Sequence, residues 1–470
     1  MLSFVLAASL AAAPAPRAAT SSETVVHIPR LDALTDVISF LGRAGQAAAL
    51  MRPTVWFAEL HPFLSLDPSQ PATLTSAGVD PTGPVTVSLR SNGRISCTHL
   101  TDPKAFQEKA AAALVSAGIK TEVKPTTAGG LTTVLVTRES GGRAGYALKG
   151  QEACAFLSAN AGFIDDGQGQ AMLKEASRLV GRAPAPEARW AGLPGVVYVL
   201  APGQGMAMSL EGSATELHLE GTSTRFPLPA FQSATASPYG ARKPEGLLFS
   251  RARMTPAGMS QSMGAVRQSI QRLCPTCPPA EVSSVARAVT ERLTGHVLLK
   301  VDGVRSRPNL GTAEGRFFAT RQAIAAEVTD ADAVKDALAP LARFPGAKTL
   351  ADGYSLDVTG GTLSVRLQGR QLVLGNDEAV TQSLLSGTLQ EGSKLPHAVD
   401  FSVDPRRLAS GLKQVSLMDV VSNQQLAGLF TAGLEMGPLL AQSERISGWL
   451  DSASGGGHRF SATWTLPAAP

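Results

Sequence analysis

The feature of this chain that most restricts its fold is a pattern of helix ends that occurs twice. Helical stretches over 103–116 and 331–344 each follow a Thr-Asp pair and end close to a glycine. The matching residues lie 228 positions apart in every case: Asp102 and Asp330 at the start, Gly118 and Gly346 at the end. Asp is a preferred N-cap and Gly is preferred just beyond a helix, so each match has a physical reason. The pattern therefore predicts a duplicated module.

Short β-rich runs separated by glycines follow both helices, a pattern typical of antiparallel meanders. They cover 131–136, 146–150 and 153–157 in the first copy, and 354–358, 363–367 and 371–374 in the second. Each copy then enters a further helical stretch. Strands and helices do not alternate regularly, which disfavours a doubly wound parallel sheet. The predicted class is α+β: two related modules, each with an antiparallel sheet packed by amphipathic helices.

The boundary between the modules is predicted from composition. Residues 226–245 are rich in Pro, Ser and Ala, which is typical of a linker or long loop. Module 1 is therefore predicted over 21–240 and module 2 over 241–470. Helices over 31–51 and 418–440 repeat apolar residues at helical spacing and are expected to cover the buried faces.

The first residues of the chain predict export. Met1–Ala13 is apolar and rich in alanine, too short to span a bilayer but suited to the core of a signal peptide, predicted over 1–20. No Lys or Arg precedes the apolar run, which departs from the usual pattern, and an alanine-rich helix of the fold is the alternative. No later segment is apolar for long enough to be a membrane span. The expected location is the periplasm or the extracellular space.

Four cysteines, an even number, suit an oxidising compartment. Four thiols allow three pairings, and the sequence alone does not select one. Spacing favours Cys97 with Cys154, in strand-like segments of one module, and Cys274 with Cys277, between two helical stretches.

The segment Cys274–Cys277 (Cys-Pro-Thr-Cys) has the spacing of thiol–disulfide oxidoreductases, which is the alternative hypothesis for function. In those enzymes the first cysteine begins a helix, whose dipole stabilises the thiolate. Cys274 instead follows a helical stretch over 259–273, and two prolines follow Cys277. The context favours a structural clip. A zinc site would need two further ligands at a suitable spacing, and the sequence offers none.

Other catalytic patterns are weaker. Ser410 and Lys413 match the Ser-x-x-Lys pattern of penicillin-recognising hydrolases, but the companion Lys-Thr-Gly motif is incomplete. No two of the seven histidines lie three or four residues apart, so no helical zinc face is predicted. Most histidines are expected on exposed strands or loops. The sequence predicts no cofactor and no metal.

Charge makes nucleic acid an improbable partner. The formal net charge is +4 and the basic residues are scattered, whereas phosphate contacts need clustered positive charge. An apolar share of 44% supplies ample core material. An apolar small molecule, a peptide or an envelope protein is a more suitable partner.

The chain resembles exported bacterial proteins of unknown function that contain tandem related α+β modules. The resemblance lies in the Gly78–Pro81 turn before a strand, the Thr-Asp helix starts and the strand triplet ending near Gly375. It covers most of residues 24–470 and implies a fold, without an activity. We therefore expect an exported, soluble, non-enzymatic protein that binds an apolar or peptide-like ligand. The alternatives are a thiol–disulfide oxidoreductase and, more distantly, a Ser-x-x-Lys hydrolase.

Overall fold

The computed structural model describes residues 23–468 except 59, 65, 120–121, 140–141, 159–165, 183–189, 191, 225–230, 233–235, 309–315, 359–360, 388, 390–394 and 454–456. The segment predicted as a signal peptide lies outside the described residues. The chain divides into two compact units, Arg17–Arg225 and Phe226–Pro470, called here the N-terminal and C-terminal units.

The described elements of the N-terminal unit are ten strands and five α-helices, joined by short 3₁₀ turns. The strands are β1 Thr24–Ile28, β2 Val85–Arg90, β3 Gly93–His99, β4 Thr126–Ala128, β5 Leu131–Thr137, β6 Arg143–Lys149, β7 Glu152–Ser158, β8 Val197–Ala201, β9 Met206–Gly212 and β10 Glu216–Ser223. The helices are α1 Thr35–Ala47, α2 Pro53–Phe57, α3 Pro71–Ser76, α4 Pro103–Ser116 and α5 Asp166–Leu179.

The described elements of the C-terminal unit are again ten strands, with seven α-helices. The strands are β11 Leu248–Arg253, β12 Leu293–Pro308, β13 Arg316–Val328, β14 Ala347–Leu350, β15 Gly353–Val358, β16 Gly361–Gln368, β17 Gln371–Gly375, β18 Val399–Val403, β19 Arg445–Ser452 and β20 His458–Thr465. The helices are α6 Pro256–Leu273, α7 Pro279–Thr290, α8 Ala331–Leu338, α9 Glu378–Leu385, α10 Pro405–Leu412, α11 Leu417–Ser422 and α12 Ala427–Gln442.

Strand pairing follows one order in both units. Within the N-terminal unit, antiparallel pairs give the order β4-β5-β6-β7-β3-β2-β1-β8-β9-β10. Within the C-terminal unit the order is β14-β15-β16-β17-β13-β12-β11-β18-β19-β20, also antiparallel. The mixed α+β class with antiparallel pairing, predicted from the sequence, is confirmed.

The sheet of the C-terminal unit has helices on both faces. Successive side chains of a strand point to opposite sides, so one strand packs against both layers of helices. Ala323 and Ala325 of β13 pack with α9 and the fully buried Tyr239. Ile324 and Ala326 alternate with them and face the helices α6 and α7. This second face contains the candidate site described below.

The helix caps explain why the repeated pattern forms helices. The Asp102 carboxylate accepts hydrogen bonds from the backbone N–H groups of Lys104 and Ala105 at the start of α4. The Asp330 carboxylate accepts one from Ala333 at the start of α8. The glycines after the two stretches, Gly118 and Gly346, have φ of 72° and 73°, which favours glycine.

The second of these helices is shorter than predicted. The sequence pattern predicts a helix over 331–344, but α8 ends at Leu338 and a 3₁₀ turn covers Ala339–Arg343. Pro340 lies at the start of that turn. Proline has no N–H to donate and its ring clashes with the preceding helical turn, so the α-helix ends there.

Of the two alternatives predicted for 226–245, a linker or a long loop, the described residues form a loop, and this loop belongs to the C-terminal unit. Tyr239 is fully buried in its core. The Arg242 guanidinium donates hydrogen bonds to the carbonyl oxygens of Leu384, at 2.8 Å, and Gly387. The units divide between Arg225 and Phe226, earlier than the predicted position near residue 240.

The long helices predicted over 31–51 and 418–440 are both interrupted. In the first, α1 lies between 3₁₀ turns at Leu31–Leu34 and Ala49–Met51. In the second, α11 and α12 are separate helices, joined by a 3₁₀ turn at Gln424–Leu426.

The expected burial of the second stretch is also wrong in part. Helix α12 is apolar on most sides, so packing one face leaves other apolar side chains in solvent. On α12, the exposed fractions are 48% for Leu429 and 65% for Leu434. The separate helix α11 is exposed too, with fractions of 61% for Leu417, 68% for Met418 and 72% for Val421. These residues lie in the connection over 404–444 between β18 and β19. The strands at the same positions in the N-terminal unit, β8 and β9, are joined by a much shorter connection, 202–205.

Candidate functional site

An apolar cavity lies between the sheet of the C-terminal unit and the helical hairpin formed by α6 and α7. Its volume is about 140 Å³. The floor is formed by side chains of β12, β13, β16 and β17, including Ile324, Ala326 and Leu374. Helices α6 and α7 form the roof, where Val266 and Val289 are among the lining residues.

The lining is almost entirely hydrocarbon and thioether. Ser262 is its one hydroxyl-bearing residue, and its Oγ lies 3.5 Å from the Met254 sulfur, to which it donates. An engineered apolar cavity of about 150 Å³ stays dry and binds benzene or xenon. A cavity of this size and chemistry therefore suits a small apolar group rather than water.

Three methionines, Met254, Met259 and Met263, line the same cavity. Methionine is unbranched and has three rotatable bonds, so it fits irregular space and yields to different ligand shapes. Ten methionines occur in the whole chain, and three lie here. This concentration favours an adaptable cavity.

A polar groove of about 630 Å³, lined by residues of both helices of the hairpin, adjoins the cavity. Met259, Met263, Ala286 and Leu293 line both spaces, so they form the boundary between groove and cavity. The charged side chains that line the groove are Arg267, Arg287 and Glu291. An apolar cavity and a charged groove thus lie side by side.

The Cys-Pro-Thr-Cys segment closes the end of this hairpin. Cys274 is the C-cap of α6, and α7 begins at Pro279. The structure joins Cys274 to Cys277, whose exposed fractions are 4% and 2%. Thiol–disulfide exchange requires attack on an accessible sulfur. The two cysteines are buried in a hydrophobic cluster with Ile270 of α6 and Val282 of α7. This environment fits a structural disulfide better than a redox site.

The other two cysteines also form one disulfide. Cys97 on β3 lies directly opposite Cys154 on β7, and the two are bonded. The bond lies in a core cluster that α5 covers with Met172 and Ala176. His99, two residues after Cys97, lies 3.2 Å from the Asp80 carboxylate, and Cys97 has no free thiol that a nearby histidine could activate.

The structure does not support nucleophilic chemistry at Ser410 and Lys413. Both residues are exposed on and just after α10, and the Ser410 hydroxyl donates to the Arg406 carbonyl at 2.9 Å. An exposed serine that is bonded to its own helix lacks a positioned base and a pocket for an acyl group.

The structure brings another serine and lysine, Ser383 and Lys300, into contact. No sequence motif could indicate this pair, because the two residues lie 83 positions apart. The Lys300 ammonium donates to the Ser383 hydroxyl at 3.1 Å and to the Glu245 carboxylate, also at 3.1 Å. The Ser383 hydroxyl in turn donates to the Val380 carbonyl at 2.8 Å. A base would accept the serine proton, whereas this lysine is a paired donor. The contact is structural.

The expectation that most histidines are exposed is wrong: His61 and His296 are buried, with exposed fractions of 2% and 7%, and the other five are half-buried. The His61 Nδ1 accepts a hydrogen bond from the Leu64 N–H at 3.0 Å. Burial lowers the pKa of His61 to about 3. The residue is therefore a neutral core histidine at physiological pH.

The described part of the chain contains no cluster of three or more His, Cys, Asp or Glu side chains that could hold a metal ion. No helix among the described residues is both long and apolar enough to cross a membrane.

Comparison with known proteins adds little. No protein-family model and no curated protein matches the chain. A solved structure titled "Structure of crystal form I of TP0453" is similar with 9% sequence identity and a TM-score of 0.20, over 76% of this chain and 89% of that one. A TM-score this low does not establish a common fold.

Proposed function

We propose that the protein is an exported, non-enzymatic binding protein that holds a small apolar ligand in the cavity beneath the α6–α7 hairpin. The supporting observation is the cavity itself, about 140 Å³ in volume and lined by aliphatic and thioether groups. Binding pockets are usually concave and apolar, with few polar groups. A hairpin tied at its end by a disulfide can hold the two roof helices together while the methionines adjust.

Export is supported by the two disulfides, Cys97–Cys154 and Cys274–Cys277, since disulfides persist in oxidising compartments. We further propose that the two units arose by duplication, as modules of the kind predicted from the helix-end repeat. The shared strand order and the two Asp-capped helices support this. In this proposal, the hairpin cavity is the feature that one copy uses for binding.

Replacing Ala286 by leucine tests the binding site. Ala286 lies at the boundary of cavity and groove, so a larger apolar side chain there fills empty space. Cavity filling commonly stabilises a protein, and we expect an increase in unfolding free energy of about 1 kcal/mol. Octanol serves as the apolar probe ligand. Its affinity, measured by calorimetry, should fall at least about tenfold in the variant, equivalent to about 1.4 kcal/mol.

The matched control is Ala176→Leu, on α5 of the N-terminal unit. Ala176 is fully buried in a filled core cluster, so the extra atoms overpack it. We expect destabilisation of about 2 kcal/mol and an unchanged octanol affinity. Stabilisation by Ala286→Leu together with destabilisation by Ala176→Leu would show that the first substitution fills a cavity, whereas the second overpacks a filled core. Failure of the unaltered protein to bind octanol would refute the proposed function.

A further inference from the structure

The groove beside the cavity has a charge pattern that the apolar-ligand proposal does not use. Arg267 on α6 and Arg287 on α7 line the groove together with one acid, Glu291. Met259 and Met263 separate this groove from the hydrocarbon interior. A molecule that spans the boundary would place a polar end among these charges and an apolar end in the cavity.

Neither groove arginine has a side-chain hydrogen bond or ion pair among the described residues. The Arg267 side chain is half-buried, and its Nε is buried without a hydrogen-bond acceptor. A buried donor that has lost water and gained no acceptor is unfavourable, and an acceptor supplied by a ligand would relieve this. The Nε atoms of Arg242, Arg251, Arg253 and Arg305 in the same unit are buried in the same way, but the Arg242, Arg251 and Arg305 guanidinium groups donate to carbonyl oxygens of the chain. Arg267 therefore has unused capacity to bind an anion.

We propose that the groove binds the carboxylate of an amphiphile, whose alkyl chain enters the cavity between Met259 and Met263. This inference rests on the proposed function and names its ligand class. The ligand is a medium-chain fatty acid or a similar alkyl carboxylate.

The charge balance favours an anion over a neutral or cationic head group. Two guanidinium groups and one carboxylate line the groove, so the local balance is positive. The planar guanidinium fork matches a carboxylate with two parallel hydrogen bonds. An ammonium head group would meet two like charges. A hydroxyl would accept a hydrogen bond without charge complementarity.

Calorimetry on the full, oxidised protein with octanoate, octanol and octylamine tests the inference, because each probe has eight carbon atoms and a different head group. We expect octanoate to bind about tenfold more tightly than octanol, and octylamine to bind most weakly. Arg267→Gln should remove the advantage of octanoate while it leaves octanol affinity unchanged. The control is Arg292→Gln, which removes the same charge from an exposed position outside the groove lining.

Equal affinities of the unaltered protein for octanoate and octanol would overturn the carboxylate assignment but would still support an apolar binding site. The same holds if Arg267→Gln and Arg292→Gln weaken octanoate equally, since that effect would come from net charge. Binding of none of the three probes would instead refute the proposed function. Loss of octanol binding in Arg267→Gln would assign the arginine a structural role and also contradict the inference.

Discussion

Replacing Cys97 and Cys154 together by alanine is expected to lower the free energy of unfolding by about 4 kcal/mol, the largest effect that we predict for this protein. The bonded residues are 57 positions apart, so the disulfide closes a long loop. Closing a loop removes conformational entropy from the unfolded chain, and the chain-entropy relation gives about 4 kcal/mol for this length. Urea unfolding of the oxidised protein and the double variant measures the difference.

The position of this disulfide adds to the expected effect. It joins β3 to β7, the strands through which the meander β4 to β7 pairs with the rest of the N-terminal sheet. Cys154 is buried beside Phe156 and Ala176. Loss of the bond therefore weakens the one strand pair that attaches the meander within the described sheet.

The matched comparison is the double replacement of Cys274 and Cys277 by alanine. These residues are only three positions apart, so the same relation gives about 2 kcal/mol. We expect the two double variants to differ by about that amount. Equal losses, or a larger loss at 274 and 277, would show that local packing and not loop closure determines the contribution of these bonds.

Acidification is expected to lower the free energy of unfolding by about 2 kcal/mol between pH 7 and pH 5 through His61 alone. Burial lowers the pKa of this imidazole from 6.5 to about 3 in the folded protein. The unfolded chain therefore binds the proton first as the pH falls. The stability that neutral His61 contributes is full above pH 6.5, falls by about 1.4 kcal/mol per pH unit below it, and levels off near pH 3.

The hydrogen bonds of His61 give the physical cause of this effect. Its Nδ1 accepts from the backbone N–H groups of Leu64, at 3.0 Å, and Phe63, at 3.4 Å. Protonation of Nδ1 would remove both bonds and place a charge between the rings of Phe63 and Phe106. His61→Asn keeps an acceptor without the titration.

Urea unfolding at several pH values tests the role of His61. The Asn variant should be less stable than the unaltered protein at pH 7, because it lacks the imidazole ring that packs in the core. Its stability should depend less on pH between 7 and 5. An NMR titration of the His61 ring provides a direct check, with no protonation expected above about pH 4. The same pH slope in both proteins would assign acid sensitivity to other groups.

The sequence predicted the features that depend on neighbours along the chain. Asp102 and Asp330 cap helices because a short carboxylate reaches the backbone N–H groups two or three residues ahead. The β-rich runs after them form β5 to β7 and β15 to β17. The helix that is shorter than predicted, α8, also has a local cause: Pro340 cannot continue the α-helix, and a 3₁₀ turn begins at Ala339.

Burial could not be predicted in the same way. Tyr239 lies in a segment whose Pro, Ser and Ala content is typical of a linker, yet its ring is fully buried in the C-terminal core. Leu417 and Val421 repeat at helical spacing, yet both are exposed. Periodicity shows which residues share a face of a helix, but the partner that covers this face comes from distant parts of the chain.

By itself, the sequence determined the α+β class, the ends of the repeated helices and most of their strands, because caps, glycines and alternation act over a few residues. Only the tertiary structure decided where the candidate site lies. Its lining extends from Met254 to Leu374 and comes from strands and helices that meet only after folding. A cavity is space that packing leaves unfilled, and this depends on how all of those side chains fit together. The helix-end repeat indicated the architecture, and the folded core placed the cavity in the C-terminal unit.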